Sequence, residues 1–159
     1  MRPSVKHKLK IYILAIAIPL AVGSLAAIIT RDGMSHYADL NQPTFAPPGW
    51  VFPIAWTLLY VLMGISSGMI YLSEDDCRRD ALRIYALQLF LNFGWPILFF
   101  GFQQHLIAFV WLVMLVAVIV VMIALFFAMH PKAAYLQIPL FCWVAFAAYL
   151  NFSVWLLNK

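Results

Sequence analysis

The sequence predicts an all-α membrane protein, a bundle of five transmembrane helices with one long proline-rich loop between the first and second. Three observations predict it. Of the 159 residues, 65% are hydrophobic and only 10% are charged, too few charges to coat a soluble domain of this size. No Asp, Glu, Lys or Arg occurs between Leu40 and Ser73, between Ile84 and Pro131, or between Ala133 and Asn158. The apolar tracts also have the right length, since a helical crossing needs about 20 residues. A charge at mid-bilayer costs roughly 2.5–3.5 kcal/mol even on the lenient insertion scale, which accounts for the three charge-free tracts.

The spans read as 11–29, 51–72, 81–102, 106–129 and 134–157, and residues 1–159 form a single domain. The first follows a basic tail and has small residues near its end, as a signal peptide does. Its apolar run is longer than the usual h-region of about 7–15 residues, which favours a retained helix. The second carries Trp56 and Tyr60 four apart, and Gly64 and Gly68 as a GxxxG pair. That pair permits close helix contact within the bundle or between subunits. On the third, Gln88, Asn92, Trp95 and Phe99 share one face, and Pro96 deprives the Asn92 carbonyl of its helical donor. The fourth is almost wholly aliphatic apart from Trp111 and is expected to face lipid over much of its surface. The fifth places Trp143, Ala147, Asn151 and Trp155 at successive i+4 positions, with Pro139 near its start.

The connection from about residue 30 to 49 holds Asn41-Gln42-Pro43-Thr44-Phe45-Ala46-Pro47-Pro48-Gly49. Such proline density favours extended backbone. With Phe45 and Trp50 beside them, Pro43, Pro47 and Pro48 are expected to fold onto the bundle as a lid in preference to a floppy linker.

Charge placement gives an orientation. Arg2, Lys6, Lys8, Lys10, Arg78, Arg79, Arg83 and Lys132 fall on one side, Arg31 and Lys159 on the other. That bias puts the N-terminus in the cytoplasm. The net charge of +4 is thus a topology signal, with no nucleic-acid motif behind it.

The chemistry-bearing residues are few. Cys77 and Cys142 are badly placed for a disulfide, and no metal-ligand spacing, P-loop, GxSxG or intramembrane carboxylate occurs. His7, His36, His105 and His130 fall at or near loops, which argues against a buried haem ligand, His36 being the closest candidate. The ligand-binding candidates are therefore Trp56, Tyr60, Asn92, Trp95, Phe99, Trp143, Ala147 and Asn151, on the second, third and fifth helices. Each could be helix–helix glue, but together they suit a pocket for a flat apolar molecule. Arg31 at the loop mouth is a candidate partner for a ligand carboxylate.

Three ordered stretches resemble the translocator protein family, also called tryptophan-rich sensory proteins or peripheral-type benzodiazepine receptors. They are residues Tyr37 to Pro48 with Trp56-Thr57-Leu58-Leu59-Tyr60, then Leu91-Asn92-Phe93-Gly94-Trp95-Pro96, then Pro139 with Trp143-Val144-Ala145-Phe146-Ala147 and Leu150-Asn151. The resemblance implies a five-helix bundle, often a homodimer, binding porphyrin, haem and related tetrapyrroles, sterols or benzodiazepine-type ligands below the first loop. It maps the family's pocket residues onto Trp56, Asn92, Trp95, Trp143 and Ala147. It implies a receptor or regulator without a resident cofactor. Its alternatives are a light- and oxygen-dependent porphyrin-degrading enzyme using Trp56 and Trp143, and a tetrapyrrole or sterol transporter. A bacterial inner membrane is the expected location. The sequence departs from the family at Phe45, usually Trp, and at Gln42, often Lys. It also lacks the Tyr of the sterol-recognition pattern after the fifth helix, which weighs against cholesterol.

Overall fold

A computed structural model describes residues 4–159, so Arg2 lies outside the described residues. Among the described residues seven α-helices form: α1 (Val5–Thr30), α2 (Gly33–Asp39), α3 (Val51–Tyr71), α4 (Arg78–Pro96), α5 (His105–Met129), α6 (Pro131–Tyr135) and α7 (Ile138–Leu157). Five helical stretches are long and apolar enough to cross a membrane, the last running from α6 through α7. The protein is an integral membrane protein, all-helical among the described residues.

The ends of the elements differ from the expected spans for local reasons. α1 begins at Val5 because Ser4 caps it, its hydroxyl accepting from the His7 amide at 3.3 Å. Hydrophobicity alone cannot report this extension through Lys6, Lys8 and Lys10. α4 likewise starts in charged sequence, where Arg78 donates to the carbonyls of Tyr71 and Ser73 and fixes the preceding loop. Pro139 lacks an N–H, so the last span breaks after Tyr135 and restarts with this proline in the first turn of α7. Pro96 does not end its helix. The chain instead widens after it into a π-helical turn, Ile97–Gly101, in which the Phe102 amide donates to the Ile97 carbonyl at 2.9 Å.

The expected long loop is corrected. Residues 33–39 are helical, and the loop's non-helical backbone is confined to Arg31, Asp32 and the stretch from Leu40 to Trp50. Gly33 lets α2 sit directly on the backbone of Phe100 in the π-turn. Beyond it, Asn158 clamps the chain: its side chain accepts from the Asn41 amide and donates to the Asn41 carbonyl, both at 3.0 Å.

The GxxxG pair serves a contact inside the chain. A Cβ on Gly64 would collide with Ile16 Cα and fall 2.7 Å from the Ala15 carbonyl oxygen. That carbonyl has lost its helical donor to Pro19. On Gly68 a Cβ would lie 2.8 Å from the Tyr12 ring, and on the partner helix Gly23 makes room for Tyr60. Antiparallel α1 and α3 therefore interlock through three glycines and two tyrosines. On the other side of the bundle, α5 packs between α4 and α7. Its Leu112, Leu115, Ile119, Met122 and Phe126 are fully buried. Ile107, Val110, Val113, Val120 and Val121 stay exposed, as a lipid-facing side requires.

Candidate functional site

A cavity of about 370 Å³ lies between α1, α3 and α4. That volume is within the range of about 300–1,000 Å³ typical of small-molecule sites. Gly23, Ala26, Ala27 and Thr30 of α1 form one wall. Small side chains there leave the space that the aromatic residues opposite do not fill. Phe52, Trp56 and Tyr60 come from α3, and Asn92, Trp95 and Pro96 from α4. Arg31, Met34 and Gly49 lie at the end nearest the α1–α3 connection.

The aromatic wall is continuous. Trp56 stacks on Tyr60 at 5.6 Å between ring centroids, with 28° between planes, and meets Trp95 at 6.1 Å. Trp95 in turn contacts Phe99 at 5.7 Å. The polar complement is small. The Thr30 hydroxyl is committed to the Ala26 carbonyl at 2.9 Å. Asn92 is only 1% exposed, and neither its side-chain oxygen nor its nitrogen has a hydrogen-bond partner in the protein. An amide offers one acceptor and two N–H donors. Arg31 is exposed at the mouth, with its Nε 3.4 Å from Asp32.

The sequence-derived candidates divide. Trp56, Tyr60, Asn92, Trp95 and Arg31 line this cavity. Phe99, Ala147 and Asn151 instead line a neighbouring space of only about 20 Å³, which Trp95 separates from the larger one. Asn151 is committed to packing: its oxygen accepts from Trp95 Nε1 at 3.1 Å, and its nitrogen donates to the His105 carbonyl at 2.6 Å. These bonds tie α7 to α4 and α5. Trp143 lies one ring away from the cavity, against Phe52 at 5.9 Å and Phe146 at 5.9 Å. The expected wall from the fifth helix is thus supplied by α1. The i+4 pattern of α7 reports its inner face, where Trp143 meets Phe52 of α3 and Ala147 and Asn151 line the smaller space beside Trp95 and Phe99.

The lid expectation is also corrected. Phe45 is 76% exposed and Trp50 67% exposed, and none of Pro43, Phe45, Pro47 or Pro48 lines the cavity. The element folded onto the bundle is α2, through Tyr37. Its ring meets Phe52, Phe99 and Phe100 at 6.3, 5.8 and 5.7 Å. Burial raises the Tyr37 hydroxyl above the ordinary phenol pKa, so it remains neutral. His36 and His105 line another space of about 20 Å³ beside Tyr37. No group of three or more metal-ligating side chains occurs among the described residues.

Gly23, Ala26, Phe52 and Tyr37 are among the positions that sequence reasoning missed. Gly23, Ala26, Ala27 and Thr30 do follow a 3-1-3 spacing of small residues on α1, a signal available in the sequence.

A sequence model of the TspO/MBR family matches residues 15–156. The chain belongs to this family. The "Tryptophan-rich protein TspO" of Chlorobaculum tepidum is 36% identical over 150 residues, covering 91% of this chain and 94% of that protein. Its namesake from Archaeoglobus fulgidus is 39% identical over 144 residues, covering 87% and 91%. The "Translocator protein" of Sus scrofa is 39% identical over 134 residues, covering 82% and 79%. The match to the family model contains all five spans except the first ten residues of α1 and the last residue of α7.

Proposed function

We propose that this TspO/MBR-family protein is a membrane receptor or regulator that binds a tetrapyrrole, such as a porphyrin or haem, in the α1–α3–α4 cavity. The observation that carries the reading is one buried, unpartnered amide, Asn92, set in an otherwise apolar wall containing Trp56, Tyr60 and Trp95. Apolar aromatic faces favour a flat π-system by area and stacking, and the amide adds direction. Arg31 at the mouth suits a propionate, which would remain near water. The tetrapyrrole is the ligand, and the reading calls for no resident cofactor. The lysine and arginine bias supports a cytoplasmic N-terminus, and the membrane proposed is a bacterial inner membrane. It follows that the cavity mouth faces away from the cytoplasm.

Filling the cavity tests the proposal. Porphyrin titrated into the purified protein in lipid nanodiscs should quench tryptophan fluorescence saturably. Ala26→Phe, which places a ring in the α1 wall, should weaken binding at least tenfold with helicity retained. Wild-type-like affinity in that variant would remove the cavity from consideration.

A further inference from the structure

At the opposite end of the bundle from the cavity mouth lies an open groove of about 570 Å³, lined by Tyr12, Met69, Met129, His130, Pro131 and Lys132. It sits between the N-terminal part of α1, the end of α3 and the turn joining α5 to α6. We propose that this groove binds the headgroup phosphate of an anionic phospholipid, with an acyl chain lying along its apolar side.

The donor set is suited to an anion. Lys132 is exposed and has no carboxylate partner, since the ion pairs among the described residues are Arg31–Asp32 and Arg83–Asp80. The His130 ring lines the groove, and an imidazole can donate an N–H to an anion. None of the groove residues is acidic. The carboxylates at this end, Glu74, Asp75, Asp76 and Asp80, belong to the α3–α4 connection and to α4. Lys8, one turn before Tyr12 on the same face of α1, is a further cation at this end of the bundle.

The donors are also held in place. The Ser66 hydroxyl of α3 donates to the Ala133 carbonyl at 2.8 Å, the His130 amide to Phe126 at 2.6 Å and the Ala133 amide to His130 at 2.9 Å. Pro131 fixes the intervening backbone. Little backbone ordering is left to do on binding, and the Lys132 side chain carries the remaining cost. The choice of a lipid over a free anion rests on Met69, Met129 and the Tyr12 ring. These give half of the groove an apolar surface at the end of three membrane spans, where headgroups lie. Basic pockets between transmembrane helices are suited to such headgroups.

Spin-labelled phosphatidylglycerol and phosphatidylcholine, each at trace level in nanodiscs, measure the preference of the full-length protein by the immobilised fraction. The wild type should prefer phosphatidylglycerol about fivefold, roughly the worth of one cation near an anionic surface. Lys132→Gln should bring that preference close to parity, and His130→Ala should reduce it. Arg79→Gln, at the same end but outside the groove, should leave it unchanged. Equal affinities in the wild type, or a preference that survives Lys132→Gln, would overturn the proposal. So would an equal loss in Arg79→Gln, which would mean diffuse surface charge. Displacement of the lipid by millimolar inorganic phosphate would assign the groove to a free anion and overturn the lipid reading.

Discussion

The bundle has a packed side and a hollow side, and Trp95 belongs to both. On the packed side α5 lies against α4 and α7, its inward residues fully buried. There Trp95 donates its indole N–H to Asn151, which also bonds the His105 carbonyl. On the hollow side the same indole faces Trp56 and a cavity walled by Gly23, Ala26 and Ala27. Asn92 is buried there as deeply as Asn151 but has no partner. A satisfied amide ties helices together. An unsatisfied one beside a cavity is costly to keep, which makes it the expected place for a ligand.

Several substitutions would break or sharpen this contrast. The largest effect is expected at the seam that holds α1 in place as the cavity wall. Gly64→Leu must push α1 away at Ile16, where backbone cannot yield as a side chain can. A loss of about 3 kcal/mol or more in denaturant unfolding is expected, at the upper end for overpacking, with porphyrin binding lost as well. Asn151→Ala comes next. It orphans Trp95 Nε1, removes the second donor to the His105 carbonyl and should cost about 1–3 kcal/mol, while the folded fraction binds porphyrin within about twofold of the wild type. Retained stability in that variant would erase the distinction between the two sides.

Asn92→Ala should do the reverse. Its unfolding midpoint should stay level or rise, because removing an unpaired buried amide relieves its desolvation cost. Porphyrin affinity should fall about tenfold, equivalent to ~1.4 kcal/mol, the worth of a typical hydrogen bond. The smallest effect belongs to Trp143→Phe. Trp143 does not line the cavity and packs against Phe52, which does, so less than a twofold change in affinity is expected by titration. A tenfold loss there would move the site towards α7.

Five spans and the inward faces of α3, α4 and α7 were legible because charge exclusion and i+4 spacing report environment directly. The same spacing could not separate Asn92 from Asn151. Both are amides one turn from an aromatic residue, and only the packing of neighbouring helices decides which finds partners. The role of α1 was hidden for a related reason. Its recess is made by missing side chains, at Gly23 and Ala26, and small residues on an apolar helix also serve plain close packing. α2 was overlooked because seven residues between two spans, followed by prolines, read as loop. The helix depends on contact with the π-turn through Gly33 and Tyr37, a long-range effect absent from local sequence. Gly64 and Gly68 left two contacts open, and only the position of Ile16 and Tyr12 assigned them to the intrachain seam.

Porphyrin titration of Asn92→Ala and Asn151→Ala side by side in nanodiscs, each paired with its unfolding midpoint, tests the central claim most directly. Weaker binding with undiminished stability is expected for Asn92→Ala, and lower stability with near-normal binding for Asn151→Ala. Unchanged affinity in Asn92→Ala together with a large loss in Asn151→Ala would contradict that claim.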